Sequence, residues 1–193
     1  MSRNKIFNED SALDSAMRLF WKRGYEASSM QALEEVMGLK RSSIYNAFGN
    51  KRSLFRLAVE RYSQLVLSNF LSIINEAETA NEAIRNVLHE VIALHFNKNN
   101  PGGCMVVLSL MESQQHDKET LHMLQSALNM LHLTLVKRFE KAVNEGDMDK
   151  SLNCEAMASE VTALITGMIV MAKSNFSKSS LELLAGNFLA TKG

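Results

Sequence analysis

Three groups of residues in this 193-residue chain have types and spacings suited to chemistry. The first lies in GLKRSSIYNAFGNKRSLF, residues 38–55. There Lys40, Arg41, Lys51 and Arg52, with Arg56 and Arg61 just beyond, gather six cations beside one nearby acid, Glu60. Clustered cations attract polyanions, and the Ser42, Ser43, Tyr45 and Asn46 side chains among them can hydrogen-bond phosphates and base edges. The second is Cys104, which follows two glycines at an expected helix start. The helix dipole and free N–H groups there would stabilise a thiolate, lower its pKa and make it nucleophilic. Lys173, on a late helix, could assist if the fold brings its amine near; the competing reading of Cys104 is a small buried hydrophobe. The third is a set of five histidines, His89, His95, His116, His122 and His132. Two pairs are six residues apart, which turns their rings about 120° from alignment on a helix, whereas i,i+4 partners share a face. With no CxxC or HxxxH spacing, neither a metal nor another cofactor is expected.

The totals narrow the classes. Hydrophobic residues make up 46% and charged residues 22%, as in a globular protein. The formal net charge is zero, yet residues 1–62 carry eleven Lys/Arg against seven Asp/Glu, leaving an acidic remainder. That asymmetry suggests a polyanion partner for one end only. Two cysteines make no disulfide framework, and MSRNKIFNED has no apolar signal-peptide core, so a reducing cytoplasm is expected. The most apolar run, ALITGMIVMA at 163–172, is too short to cross a bilayer, and no membrane association is expected. An activated cysteine needs a base and an orienting group, which no spacing here supplies. A non-enzyme is therefore expected, with a small thiol-dependent enzyme as the distant alternative.

Helices must position these groups. Leu13, Ala16, Met17 and Phe20 repeat at i, i+3, i+4, i+7, predicting a helix from about 9 to 23 that Gly24 ends. A short helix over about 29–37 has Ser28 as its expected N-cap, with Gln31 completing a capping box. A third covers about 41–48, and Asn50 caps a fourth reaching about 74. Further helices are expected near 80–97, 104–115, 118–144, 154–174 and 178–191, with no convincing strand. The fold class is all-α: an amino-terminal three-helix unit, then a larger helical body.

Two short helices joined by a tight Gly-containing turn form a helix-turn-helix pattern. On the third helix Ile44, Ala47 and Phe48 share a face expected to pack on Leu33, Val36 and Phe20, while Arg41, Ser42, Tyr45 and Asn46 look outward. Such a helix fits the major groove of B-DNA. A solvated basic face is the plainer reading of the charge alone; the order of elements and the polar face favour nucleic acid.

The stretch 12–59, with its A…LF…GY first helix, GL turn and IYNAFGNKRSLF, closely resembles the DNA-binding domain of TetR/AcrR-type transcriptional regulators. The resemblance implies that Ser42, Ser43 and Asn46 face base edges and nearby phosphates, with Lys40 and Arg41 at the recognition-helix start. It implies phosphate contacts from Tyr45, Lys51 and Ser29, and a basic arm at Arg3 and Lys5. Three departures from the family pattern stand out. Glu34 and Met37 replace Ala, so Glu34 must reach solvent or a basic neighbour such as Arg41 or Lys22. Lys40 replaces a Ser/Thr cap. Arg52 replaces a Glu, adding attraction for phosphate.

The implied organisation is a DNA-binding domain over 1–50 and a ligand-binding and dimerisation domain over 51–193. One recognition helix makes few base contacts, so such proteins bind paired half-sites as dimers. The stripes Val161, Leu164, Ile165, Met168, Ala172 and Leu181, Leu184, Ala185, Phe188, Leu189 suit the dimer, with small residues at Ala158, Ala163 and Gly167 allowing close approach; core packing explains the same stripes. Phe96, Met105, Met111, Met123 and Met130 are candidates for an adaptable inducer pocket or for ordinary core. PGGCMVVLSLMES (101–113) resembles a Gly-Cys segment of one family branch, some of whose members sense oxidants or electrophiles. The expectation is thus a dimeric repressor released from double-stranded operator DNA by a small-molecule inducer, with sensing through Cys104 as the alternative.

Overall fold

Helix starts are written locally in this chain. Asn8, Ser29, Asn50, Thr79, Asp117, Asn153 and Ser177 each occupy an extended N-cap position and accept a hydrogen bond from a first-turn N–H. In the computed structural model, which describes residues 7–191, the helices are α1 (Glu9–Arg23), α2 (Met30–Met37), α3 (Arg41–Phe48), α4 (Lys51–Tyr62), α5 (Ser68–Glu76), α6 (Ala80–Phe96), α7 (Met105–Met111), α8 (Lys118–Glu145), α9 (Cys154–Lys173) and α10 (Lys178–Ala190). No strand occurs among the described residues. The expected arm residues Arg3 and Lys5 lie outside them.

Three boundaries differ from the sequence expectation. Ser29, not Ser28, caps α2: its hydroxyl accepts from Ala32 N, while Ser28 is fully buried and donates to the Gly24 carbonyl at 2.7 Å. The expected fourth helix is divided by a π-helical turn at Ser63–Leu67, an insertion that apolar periodicity does not register. α7 ends at Met111, and a short 3-10 turn, Ser113–Gln115, completes the segment.

α1 packs along α4 and across α2, with α3 lying between α2 and α4. Gly38 takes a left-handed conformation (φ 63°) after α2, and Leu39 N–H returns to the Glu34 carbonyl, so the chain reverses within two residues. The body places α8 against α9, α5 and α7, with α6 between α5, α9 and α10. Arg138, nearly fully buried on α8, donates through Nη2 to the Ala77 and Glu78 carbonyls and holds the α5–α6 turn.

The run 163–172 is too short for a bilayer; α9 around it, whose most apolar 18-residue window has a mean hydropathy of 1.4, is long and apolar enough by length and composition only, as core helices of globular proteins also are. It packs against α6 and α8, and 33% of its apolar window is buried. Of the proposed close-approach residues, Ala158 points into the core while Ala163 and Gly167 are exposed. Both stripes are partly used within the chain, since Val161, Ile165, Met168, Ala172, Leu181 and Ala185 are buried and Leu164, Leu184, Phe188 and Leu189 half-buried.

Candidate functional site

An eight-residue helix can bury only one narrow stripe, and α3 buries Ile44 and Phe48 four residues apart. Ile44 is fully buried in the same core as Leu33 and Phe20. Ala47 and Val36, expected in that core, are exposed instead, because on helices this short the i+3 position turns away from the i, i+4 line. The outward face carries Arg41, Ser42, Tyr45 and Asn46, all exposed, with Ser43 half-buried. Tyr45 is 44% exposed, which leaves its ring and hydroxyl on the outward face.

Around this face stand the remaining expected contacts. Lys40 is the N-cap residue of α3 and makes no side-chain cap bond, leaving its ammonium exposed. Ser29 accepts from Ala32 N, which leaves its own O–H free to donate outward. Lys51 is half-buried; Nζ donates to the Glu26 carbonyl at 3.3 Å and stands 4.5 Å from the Tyr25 ring centroid. Arg41 pairs with Glu34 at 3.1 Å, which answers how an acid is accommodated on α2.

The basic cluster as a whole does not face one way. Arg61 makes a two-pronged pair with Asp14 on α1, at 2.8 and 3.3 Å. Arg56 reaches Asp117 and Glu119 at 2.6 Å each and donates to Thr120 Oγ1. Arg52 lies 3.5 Å from Asp117. Hydrogen bonds from the Thr120 side chain and backbone, with the Arg56 guanidinium, hold the Asp117 carboxyl at about 2. Arg56 and Arg61 therefore join elements of the chain, and the outward charge rests on Lys40, Lys51 and the shared Arg41 and Arg52.

The expected sensor residues separate. Cys104 lines an apolar cavity of about 30 Å³ with Leu67, Phe70, Val107, Leu128 and Ile169, and Gly103 also reaches its wall. None of Phe96, Met105, Met111, Met123 and Met130 lines it. Phe96, Met111 and Met130 are exposed, and Met123 is half-buried. Buried Met105 and exposed Met111 border a different space, an open cleft between α1 and α7.

The Cys104 thiol also departs from expectation. It precedes α7, but burial pushes its pKa above the ordinary 9.0 despite backbone N–H groups and Tyr62 that favour the thiolate. A helix start lowers a thiol pKa only where the anion stays solvated. Lys173 does not supply a counter-charge: its Nζ donates to the Pro101 carbonyl at 3.2 Å. Among the described residues no group of three or more His, Cys, Asp or Glu side chains is arranged to hold a metal ion.

Sequence reasoning missed the residues that join the helix-turn-helix unit to the body. Phe55 stacks on His116 at 5.1 Å and 12°, with Tyr25 edge-on to Phe55 at 5.0 Å. His116 Nε2 donates to the Ser109 carbonyl, and burial lowers the ring's pKa. Glu112 accepts from Tyr25 N at 3.0 Å, packed so closely under Gly24 (φ 80°) that a Cβ there would strike the carboxylate. Trp21, the chain's only tryptophan, donates its indole N–H to the Gly103 carbonyl at 3.0 Å. Single aromatics and acids carry no spacing signal, so only the fold reveals these pairings.

Comparison with known proteins adds family and fold. Residues 12–58 match the family model described as bacterial regulatory proteins, tetR family, and residues 55–185 match the tetracyclin repressor-like C-terminal domain. The chain is 28% identical over 188 residues to the HTH-type transcriptional repressor ComR of Escherichia coli (strain K12), covering 97% of this chain and 90% of that protein. It is 21% identical over 132 residues to IcaR, the negative transcriptional regulator of the biofilm operon icaADBC of Staphylococcus epidermidis, covering 68% and 69% of the two chains. The structure superposes on a cysteine-substituted CifR, a TetR family transcriptional regulator complexed with 26-bp double-strand operator DNA, at a TM-score of 0.91, 28% identity and 100% of both chains.

Proposed function

Because the chain belongs to the tetR family of bacterial regulatory proteins, we propose that it is a sequence-specific DNA-binding transcriptional repressor acting as a homodimer in the cytoplasm. The observation that carries this reading is the α3 face: four exposed polar side chains, Arg41, Ser42, Tyr45 and Asn46, backed by fully buried Ile44. Asn46, Ser42 and Ser43 are assigned to base edges and nearby phosphates. Ser29, Lys40, Arg41, Tyr45 and Lys51 are assigned to the backbone, where contacts position the protein without reading sequence. Residues 1–50 form the DNA-binding unit and 51–193 the sensing and dimerising body in this proposal.

The dimer is assigned to the outer faces of α9 and α10. Exposed Ala163 and Gly167 leave room for a second backbone, and Leu183 is 66% exposed. An apolar helix only one-third buried is stable in water when a partner covers the rest. The inducer is assigned to the cavity at Cys104. Its wall is apolar and its volume far below the roughly 300–1,000 Å³ of pre-formed small-molecule sites, so binding must open it. Occupancy would shift the spacing of the two recognition helices, provided the ligand favours the non-binding spacing.

The oxidant or electrophile reading uses the same place, because the Cys104 sulfur lies on the cavity wall. Its raised pKa requires a reagent that is small, uncharged and able to enter.

Selection of bound fragments from random and genomic duplexes tests the proposal. The expected result is a paired half-site bound in a salt-sensitive way, with Asn46→Ala changing the preferred sequence. A protein that stays monomeric and ignores every duplex at low ionic strength overturns the reading; unchanged preference in Asn46→Ala overturns that residue's role.

A further inference from the structure

The α6–α7 connection, residues 97–103, has the sequence NKNNPGG and no helix of its own, yet three side chains from elsewhere in the chain hold its backbone. Arg18 Nη1 on α1 donates to the Asn99 carbonyl at 2.8 Å. Trp21 Nε1, also on α1, donates to the Gly103 carbonyl at 3.0 Å in a buried setting. Lys173 Nζ, at the end of α9, donates to the Pro101 carbonyl at 3.2 Å. Two tethers thus come from the helix-turn-helix unit and one from the helix assigned to the dimer. The far end of the connection enters the cavity wall, since Gly103 lines the cavity as well as accepting the indole N–H. Trp21 is 4% exposed and packs edge-on against Tyr62 at 5.0 Å. Fully buried Tyr62 immediately precedes the π-helical turn whose last residue, Leu67, is another wall residue.

From this arrangement we infer that the 97–103 connection is the strap by which the state of the cavity reaches the DNA-binding unit, with Trp21 as the positioning residue. The inference rests on reading the chain as a cavity-responsive DNA-binding repressor. A group that enlarges the cavity pushes on Gly103. The Gly103 carbonyl moves relative to the indole, and α1, which has Arg18 and Trp21 three residues apart on one side, moves with it. Lys173 fixes the middle of the strap to α9, so the displacement is referred to the dimer rather than lost in the loop. Directional hydrogen bonds suit this role because they weaken steeply once the donor leaves its line to the acceptor, so they have made and broken states.

The test is a double-mutant cycle on the full-length chain, read as affinity for a duplex selected with the parent protein. Ala127→Leu imposes occupancy without any ligand, adding bulk to the cavity wall from α8. Trp21→Phe keeps a ring against Tyr62 and removes the N–H. The expected result is that Ala127→Leu weakens duplex binding by about tenfold in the parent and by less than about twofold in the Trp21→Phe background. The lone tryptophan gives a local readout: its single indole N–H resonance should shift in Ala127→Leu while that variant still melts as a folded protein, a change that lower global stability alone does not produce. Lys173→Met, which keeps the stem and loses the tether to Pro101, should also reduce the Ala127→Leu effect, and it serves as the second variant if Trp21→Phe fails to fold by thermal melting. Equal loss of affinity in both backgrounds, or an Ala127→Leu protein with parental affinity and an unmoved indole resonance, overturns the strap alone. A parent that binds no duplex overturns the repressor reading and the strap with it.

Discussion

Lys51 offers a prediction in which two physical roles give different numbers. Its Nζ uses one of three N–H groups on the Glu26 carbonyl and sits over the Tyr25 ring, so two donors remain free beside the α3 face. If the ammonium meets a phosphate, each protomer releases one condensed counterion, and a homodimer releases two. Lys51→Gln should then lower the slope of log K against log salt by about 1.8, at about 0.9 per phosphate on B-DNA. Over a fourfold salt range, from about 50 to 200 mM, that difference narrows the gap between parent and variant by roughly twelvefold. Loss of the half-buried cation–π contact costs about 0.5–2 kcal/mol of stability, so most of the protein stays folded. Fluorescence anisotropy on a labelled duplex across that range gives the slope, and Arg56→Gln is the control. Arg56 is engaged by Asp117 and Glu119, so its removal should leave the slope alone. A Lys51→Gln variant with weaker binding but the parental slope would refute the reasoning: Lys51 would then act by holding the Tyr25–Glu26 turn.

Three further outcomes follow from the same geometry. Ile44→Ala empties a fully buried site behind the recognition helix and should cost about 2–5 kcal/mol in urea unfolding, with duplex affinity falling alongside. Burial lowers the His116 pKa below 6.5, so below that pH the unfolded chain binds more protons than the folded one. The His116 contribution is complete above about pH 6.5 and fades as pH falls through the lower folded value, an acid loss in thermal melts that His116→Gln should flatten. Burial both shields the Cys104 thiol and pushes its pKa up, so Ellman's reagent should titrate half-buried Cys154 first and Cys104 only on unfolding. Equal rates at the two thiols would contradict the burial argument.

The helices were legible in the sequence because apolar spacing and cap residues are local signals. Leu13, Ala16, Met17 and Phe20 mark a face whatever they pack against, and Asn50 caps α4 through its own side chain. Adjacent Ser28 and Ser29 mark the limit: both fit a cap, and only the packed turn shows that Ser28 is buried against Gly24 while Ser29 takes the Ala32 N–H. The outward residues of α3 were legible as well, but Val36 and Ala47 were not, since eight-residue helices bury a stripe narrower than the pattern implies. Methionine misled for another reason. Met111 and Met130 are exposed, and side chains that fit many environments carry little information about any one. The cavity is built from Leu67, Phe70, Leu128, Ile169 and others that repeat at ordinary core spacing, so nothing in their pattern separates a wall from a filled interior.

Charge was the least legible feature, and its correction changes how the molecule works. Counted along the chain, the basic cluster has one nearby acid. Counted in space, Asp14 of α1 holds Arg61, while Asp117 and Glu119 of the body hold Arg56 and approach Arg52. The body's Glu112 takes the Tyr25 backbone N–H. The cations of α4 are therefore largely engaged inside the chain, which leaves Lys40, Lys51 and a share each of Arg41 and Arg52 for a polyanion. Salt must then act at two places, screening phosphate contacts and loosening the docking between the two parts. The second effect is the weaker, because Arg56 is largely covered, with about a fifth of its side chain exposed. A unit held to the α7 region and its flanks by one histidine against two rings and by two hydrogen bonds has few contacts to rearrange, so a small movement of that region re-aims it.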